Sequence, residues 1–331
     1  MINEKLELPC GVAVKNRFLK SAMTEGLAGS DAVANKKHNN LYKKWANGGV
    51  GISVTGNVQI DHRYIERAGN VVIEGEQSNE SLAALADWSH AGTQNNTHLW
   101  MQLSHAGRQT PFSINKESAA PSVQPLPTLG GILKFGVPKE LTHSEILDIV
   151  DRFVNAAEIA KQTGFTGVQL HSAHGYLLSE FLSPNVNQRS DQWGGSIENR
   201  SRLLLTVIEA IRDKVGNNYP ISVKLNSSDF QKGGFTHEES IEVAKILNTS
   251  SLDLLEISGG TYENFTALEI DSLNLKKAKT IKPQRSTKVR EAYFLKYAEA
   301  IKNVLSIPLA VTGGFRSVSY THLTLPTICS V

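Results

Sequence analysis

The chain has 331 residues, 40% hydrophobic and 20% charged, enough for one large core or two ordinary domains. With 34 Lys and Arg against 32 Asp and Glu the net charge is +2, and that balance calls for neither a nucleic acid nor an acidic membrane surface as partner. The two cysteines, Cys10 and Cys329, exclude a disulfide framework or a four-cysteine cluster within the chain. No run has signal-peptide or membrane-spanning character, so a reducing cytoplasm is the expected compartment.

From the N-terminus onward, short apolar runs alternate with amphipathic stretches. "RFLKSAM", "GVGISVTG", "THLWMQLS", "TGVQLHS", "PISVKLN", "DLLEISGG" and "IPLAVTGG" each read as a buried strand ending in polar or small residues. Helical patterns separate several of them. "SEILDIVDRFVNAAEIAKQTG" opens with Thr142 and Glu145 at capping-box spacing and closes at Gly164. "IENRSRLLLTVIEAIRDKVG" and "THEESIEVAKILNTS" follow the same logic. Seven such units over about 300 residues fit an α/β fold of the (β/α)8 TIM-barrel kind better than a doubly wound sheet. The Pro- and Gly-rich stretch 111–138 reads as an elaborated loop after the third strand.

In such a barrel, chemistry belongs at the C-terminal ends of the strands. Those ends carry Thr24, Gly56, Gln102, His171 with His174, Lys224, the Gly259–Gly260 pair and the Gly313–Gly314 pair. The two histidines admit three readings: metal ligands, a structural pair, or donors that hold a substrate near Tyr176. Gly175 interrupts the stretch, so they do not share one face of a regular helix, which weakens a two-histidine metal site. Glu180 is the nearest third ligand. Lys224 is a fixed cation, a Schiff-base amine as in an aldolase, or a lysine reaching for solvent.

The segments "LPCGVAVKNRFLKSAMTEG", "MQLSHAGRQ", "LHSAHGYLLSEFLSPNVNQRSDQWGGSIENRSRLL", "VKLNSSDF", "EISGGTYE" and "VTGGFR" resemble the Old Yellow Enzyme family of FMN-dependent ene reductases, also called NADH:flavin oxidoreductases. The resemblance covers roughly residues 6–316 and implies a TIM barrel with an N-terminal hairpin. It implies FMN as cofactor and NADPH or NADH as hydride donor, with a small molecule bearing an activated alkene as substrate. By resemblance, the backbone of Ala22 and Met23 lies along the flavin, Thr24 meets its C4 carbonyl, and Gly56 lets the backbone approach the ring. Gln102 binds the pyrimidine edge, Lys224 sits near N1, and Gly313 and Gly314 supply half of a phosphate site. His171 and His174 donate to a carbonyl or nitro oxygen, and Tyr176 protonates the α-carbon. Related sequences carry asparagine in place of His174, and either side chain can donate. Arg189, Asp191, Asn199 and Arg200 are read as scaffold, while Arg108 either touches the flavin or pairs with a carboxylate.

The resemblance stops near Arg316. Residues 1–316 are therefore expected to form an incomplete FMN-binding barrel, and 317–331 to be a non-family tail of foreign origin. On that expectation helix seven, strand eight and helix eight are missing, and strands one and seven keep open edges. Poor stability and weak FMN retention would follow. Two alternatives accompany the ene-reductase reading: a truncated, non-catalytic barrel, or an aldolase or lyase using Lys224.

Overall fold

All seven expected strands form, and an eighth joins them. The structure is a computed structural model that describes residues 3–128, 133–261, 263, 293–313 and 327–330. The barrel strands are β1 (Phe18–Lys20), β2 (Ile52–Val54), β3 (His98–Ser104), β4 (Gly167–Ser172), β5 (Ile221–Asn226), β6 (Leu254–Ser258), β7 (Leu309–Thr312) and β8 (Thr327–Ser330). Each pairs in parallel with the next from β1 to β8. β8 then pairs with β1, Cys329 opposite Phe18 and Ser330 opposite Leu19, and the ring is closed.

That closure corrects the expectation of a missing eighth strand with open edges on β1 and β7. A parallel ladder is made by backbone N–H and C=O groups, which every residue except proline supplies in full. A short segment can therefore fill the slot by its backbone alone. Instability argued from unpaired edges loses its basis.

Side chains alternate along β1 to β7, and the alternation sorts the barrel into layers. Leu19, Ile52, Val54, Trp100, Leu254 and Ala310 form an apolar plug with Leu6, Leu8 and Val14. The last three come from the expected hairpin, Leu6–Glu7 paired antiparallel with Ala13–Val14. The next inward positions along several strands are polar and hold the chemistry described below. Outward positions such as Val168, Leu170, Val223 and Leu255 join the larger core beneath the helices.

Among the described residues the α-helices are α1 (Lys36–Asn47), α2 (Asn79–Gly92), α3 (His143–Gln162), the short α4 (Leu177–Leu182), α5 (Ile197–Val215), α6 (His237–Leu247) and α7 (Leu295–Lys302). Thr142 and Glu145 form the expected capping box on α3, and Thr236 and Glu239 form a second on α6. Helix α3 buries Ile146, Ile149, Val150, Phe153, Ala157 and Ala160, one stripe at helical spacing. Truncating the fully buried Phe153 to alanine would cost about 3–5 kcal/mol. The insert at 111–138 contains Glu117–Ala120 and runs into Val137–Glu140, the two paired in parallel; its residues 129–132 lie outside the described residues. Among the described residues no helix is long and apolar enough to cross a membrane.

Candidate active site

A cavity of about 490 Å³ is formed at the C-terminal ends of the barrel strands. Ala22, Thr24, Gln102, His171, His174, Tyr176, Lys224 and Gly313 all line it, drawn from segments far apart in sequence. Met23 does not, and its side chain is exposed. Gly56 does not line it either. A Cβ there would lie 2.4 Å from the Met23 carbonyl oxygen and 2.4 Å from Glu25 Oε2, so the glycine is needed where the chain leaving β1 crosses the end of β2. Gly314 lies outside the described residues.

Beneath the cavity runs a chain of buried polar side chains. Gln102 and Gln169 face each other across β3 and β4, and Gln102 Nε2 donates to Gln169 Oε1 at 2.8 Å. Gln169 Nε2 donates to Glu256 Oε2 at 2.7 Å. Lys224 is the register partner of Glu256; its Nζ lies 3.1 Å from Glu256 Oε1 and donates to Ser21 Oγ at 2.6 Å. Ser21 and Thr312 also donate to Glu256 Oε1. Burial pushes the Glu256 carboxyl up, but Lys224 beside it and the three hydrogen bonds outweigh that and hold it below its ordinary value.

Above this layer His171 closes β4. Its Nδ1 accepts the Ala173 N–H at 3.3 Å, so in the neutral ring Nε2 carries the proton. Burial, and then the neighbouring His174 and Lys224, hold its pKa well below the ordinary 6.5. His174 stands in the left-handed region at φ 61°, with its N–H on Asn226 Oδ1 and its carbonyl on Gln109 Nε2. Its Nε2 lies 2.7 Å from Ser258 Oγ, a contact the sequence reading did not contain. Burial brings the His174 pKa down to about 3. The His171 ring centroid is 5.2 Å from that of His174 and 4.5 Å from that of Tyr176. Two neutral imidazoles and a phenol thus share one wall.

The family description "NADH:flavin oxidoreductase / NADH oxidase family" matches residues 10–325. The chain belongs to this family. It is 36% identical over 326 residues to the NADH-dependent flavin oxidoreductase iliE of Neonectria sp. (strain DH2), covering 94% of this chain and 42% of that protein. To the Hypocrea jecorina protein of the same name it is 33% identical over 327 residues, covering 94% and 79%. It thus spans less than half the length of the first relative and about four fifths of the second. The old yellow enzyme homologue from Zymomonas mobilis superposes with a TM-score of 0.79 at 23% identity, covering 100% of this chain and 88% of that one, which supports the barrel fold.

The cavity of this flavin oxidoreductase family member has the size of a small-molecule site. Its donor set fits a flavin: an amide from Gln102 able to donate and accept, a cation from Lys224, and small residues Ala22, Gly259, Gly260 and Gly313 along the walls. The rim holds further polar groups. Thr24 Oγ1 donates to Glu66 Oε2 at 2.9 Å, and Asn57 Nδ2 and the Arg67 guanidinium meet the same carboxylate.

Other expectations resolve in place. Arg108 pairs with Glu263 at 2.6 Å and does not line the cavity. Arg189 grips Asp191 and the Leu141 carbonyl, and Arg200 holds the Gly195 carbonyl and Glu239, so both act as scaffold. Glu180 is turned to the Arg108 backbone N–H, away from the histidines' wall. Among the described residues no group of three or more His, Cys, Asp or Glu could hold a metal. Lys224 is held by a carboxylate and a hydroxyl, an arrangement that favours a fixed cation over a nucleophilic amine. The sequence reading missed Ser21, Gln169, Glu256, Ser258 and Thr312. One signal was present: polar residues at alternate positions of strands otherwise apolar on both faces.

Proposed function

We propose that this old yellow enzyme family member binds FMN in the cavity and reduces activated C=C bonds of enones, enals, nitroalkenes or related small molecules, with NADPH or NADH as reductant. The observation that carries the reading is that Gln102, His171, Tyr176 and Lys224, contributed by three neighbouring strands and the loop after one of them, line a single cavity. When bound, the flavin supplies hydride chemistry. Gln102 and Lys224 hold its polar edge, the lysine offering a positive charge where negative charge develops. His171, neutral and with Nε2–H as its donor, holds the acceptor oxygen of the substrate and stabilises the charge gathering there. His174 stands beside it and serves as the second donor. Tyr176 delivers the proton to the α-carbon: a phenol is neutral at cellular pH and can still give its proton to a carbanion. The described wall of Tyr293 and Phe294 gives the cavity an aromatic side suited to a planar acceptor.

The test is a visible spectrum of the purified chain titrated with FMN, then with NADPH or NADH under anaerobic conditions, then with an enone. Saturable perturbation of the flavin bands, bleaching and recolouring with loss of the alkene are expected. Bands identical to free FMN at every concentration would refute the reading.

A further inference from the structure

Glu256 is fully buried, lies one side-chain layer beneath the cavity, and does not line it. Its carboxylate receives Lys224 Nζ, Ser21 Oγ, Thr312 Oγ1 and Gln169 Nε2 and has no contact with solvent. Two consequences follow from elementary hydrogen bonding. The Lys224 cation faces the cavity already paired at 3.1 Å, so the floor presents a dipole in place of a lone positive charge. A carboxylate, moreover, can only accept. Gln169 must therefore turn its NH2 to Glu256, which turns its oxygen to Gln102, and Gln102 must answer with its own NH2. Flipping either amide would set like groups face to face. The Gln102 oxygen and one remaining N–H are what the cavity receives.

We propose that Glu256 is the positioning residue that sets both the charge and the hydrogen-bond polarity of the cavity floor, through Lys224 on one side and the Gln169–Gln102 relay on the other. The inference rests on the flavin reading above. It assigns Glu256 the task of keeping the bound flavin harder to reduce than an unpaired lysine would leave it, and of holding Gln102 in the one orientation that matches an imide edge.

The experiment compares wild-type chain with Glu256→Gln, which keeps size and removes charge, and with Gln169→Met, which cuts the relay and leaves the Lys224–Glu256 pair. Midpoint potential is read by equilibration with a reference dye, and FMN affinity by titration. Glu256→Gln is expected to favour reduced over oxidised FMN by about tenfold more than wild type, a rise of about 30 mV for a two-electron couple. Gln169→Met is expected to weaken FMN binding by about tenfold with the potential close to wild type. An unchanged potential in folded Glu256→Gln, or unchanged affinity in Gln169→Met, overturns the proposal. Where Glu256→Gln does not fold, Gln169→Met decides alone. A wild-type chain that leaves the FMN spectrum untouched brings down the flavin reading and this inference together, whereas wild-type binding with silent variants brings down this inference only.

Discussion

Replacing Glu180 by glutamine should make the protein more stable at alkaline pH, and the structure sets the size of the effect. Glu180 is 1% exposed in α4, its N–H on the Tyr176 carbonyl, its Oε1 accepting the Arg108 N–H at 2.8 Å and its Oε2 without a partner among the described residues. Burial pushes its pKa from 4.5 to about 8, Arg108 opposing and Glu263 adding to the rise. Between those two values the folded chain holds a proton that the unfolded chain releases, so rising pH favours unfolding. The stability is fully present below 4.5 and is lost as pH climbs through about 8. At roughly 1.4 kcal/mol per pH unit the whole window amounts to about 5 kcal/mol. Glutamine keeps the shape and the acceptor for Arg108 and cannot ionise. Urea unfolding of both proteins from pH 5 to pH 9 should show the wild type losing stability relative to Glu180→Gln by several kcal/mol. Asp229, also raised by burial, is common to both proteins and cancels from the difference. Parallel curves would refute the reasoning.

Four further outcomes are expected. Tyr176→Phe should lower kcat about 10²- to 10⁴-fold while FMN binding is kept, and single-turnover oxidation of the reduced enzyme by an enone checks it. With His171 held well below 6.5 and His174 at about 3, both rings stay neutral, so the pH–rate profile should show no acid limb between pH 5 and pH 7. The same depressed values make stability present above 6.5 and lost as pH falls toward 3, which an acid titration by circular dichroism follows. Gly56→Ala should destabilise by roughly 1–3 kcal/mol, because its Cβ would meet the Met23 carbonyl and Glu25 Oε2 at 2.4 Å; a thermal melt matching wild type would contradict this.

Local signals carried the helices and most of the barrel. Thr142 with Glu145 announces the start of α3 because capping is settled within four residues, and the seven apolar runs announce strands because burial on both faces leaves them no polar side. The same property explains why Glu256 and Gln169 escaped. "DLLEIS" and "GVQLHS" read as strands, and a single polar residue in such a run passes for a solvent-facing one until the ring closes and leaves it nowhere to face but inward. β8 was illegible for a different reason: it is a four-residue run, and its place shows only in the backbone pairing with Leu309–Thr312 and Phe18–Leu19. The choice at Arg108 was open because a guanidinium suits a carboxylate and an aromatic ring alike; only proximity to Glu263 closes it.

The left-handed turn at His174 carries a consequence for which amino acids that position admits. A backbone at φ 61° is costly for most side chains, and asparagine, aspartate, histidine and glycine are the ones that enter this region most readily. On the proposed reading the cavity wall imposes a second filter: a neutral group that donates a hydrogen bond, which removes glycine and an ionised aspartate. Conformation and chemistry are independent demands, one set by Asn226 and Gln109 gripping the main chain and the other by what faces the cavity. They intersect at histidine and asparagine, so a loop built for geometry has already narrowed the chemistry to two letters of the alphabet.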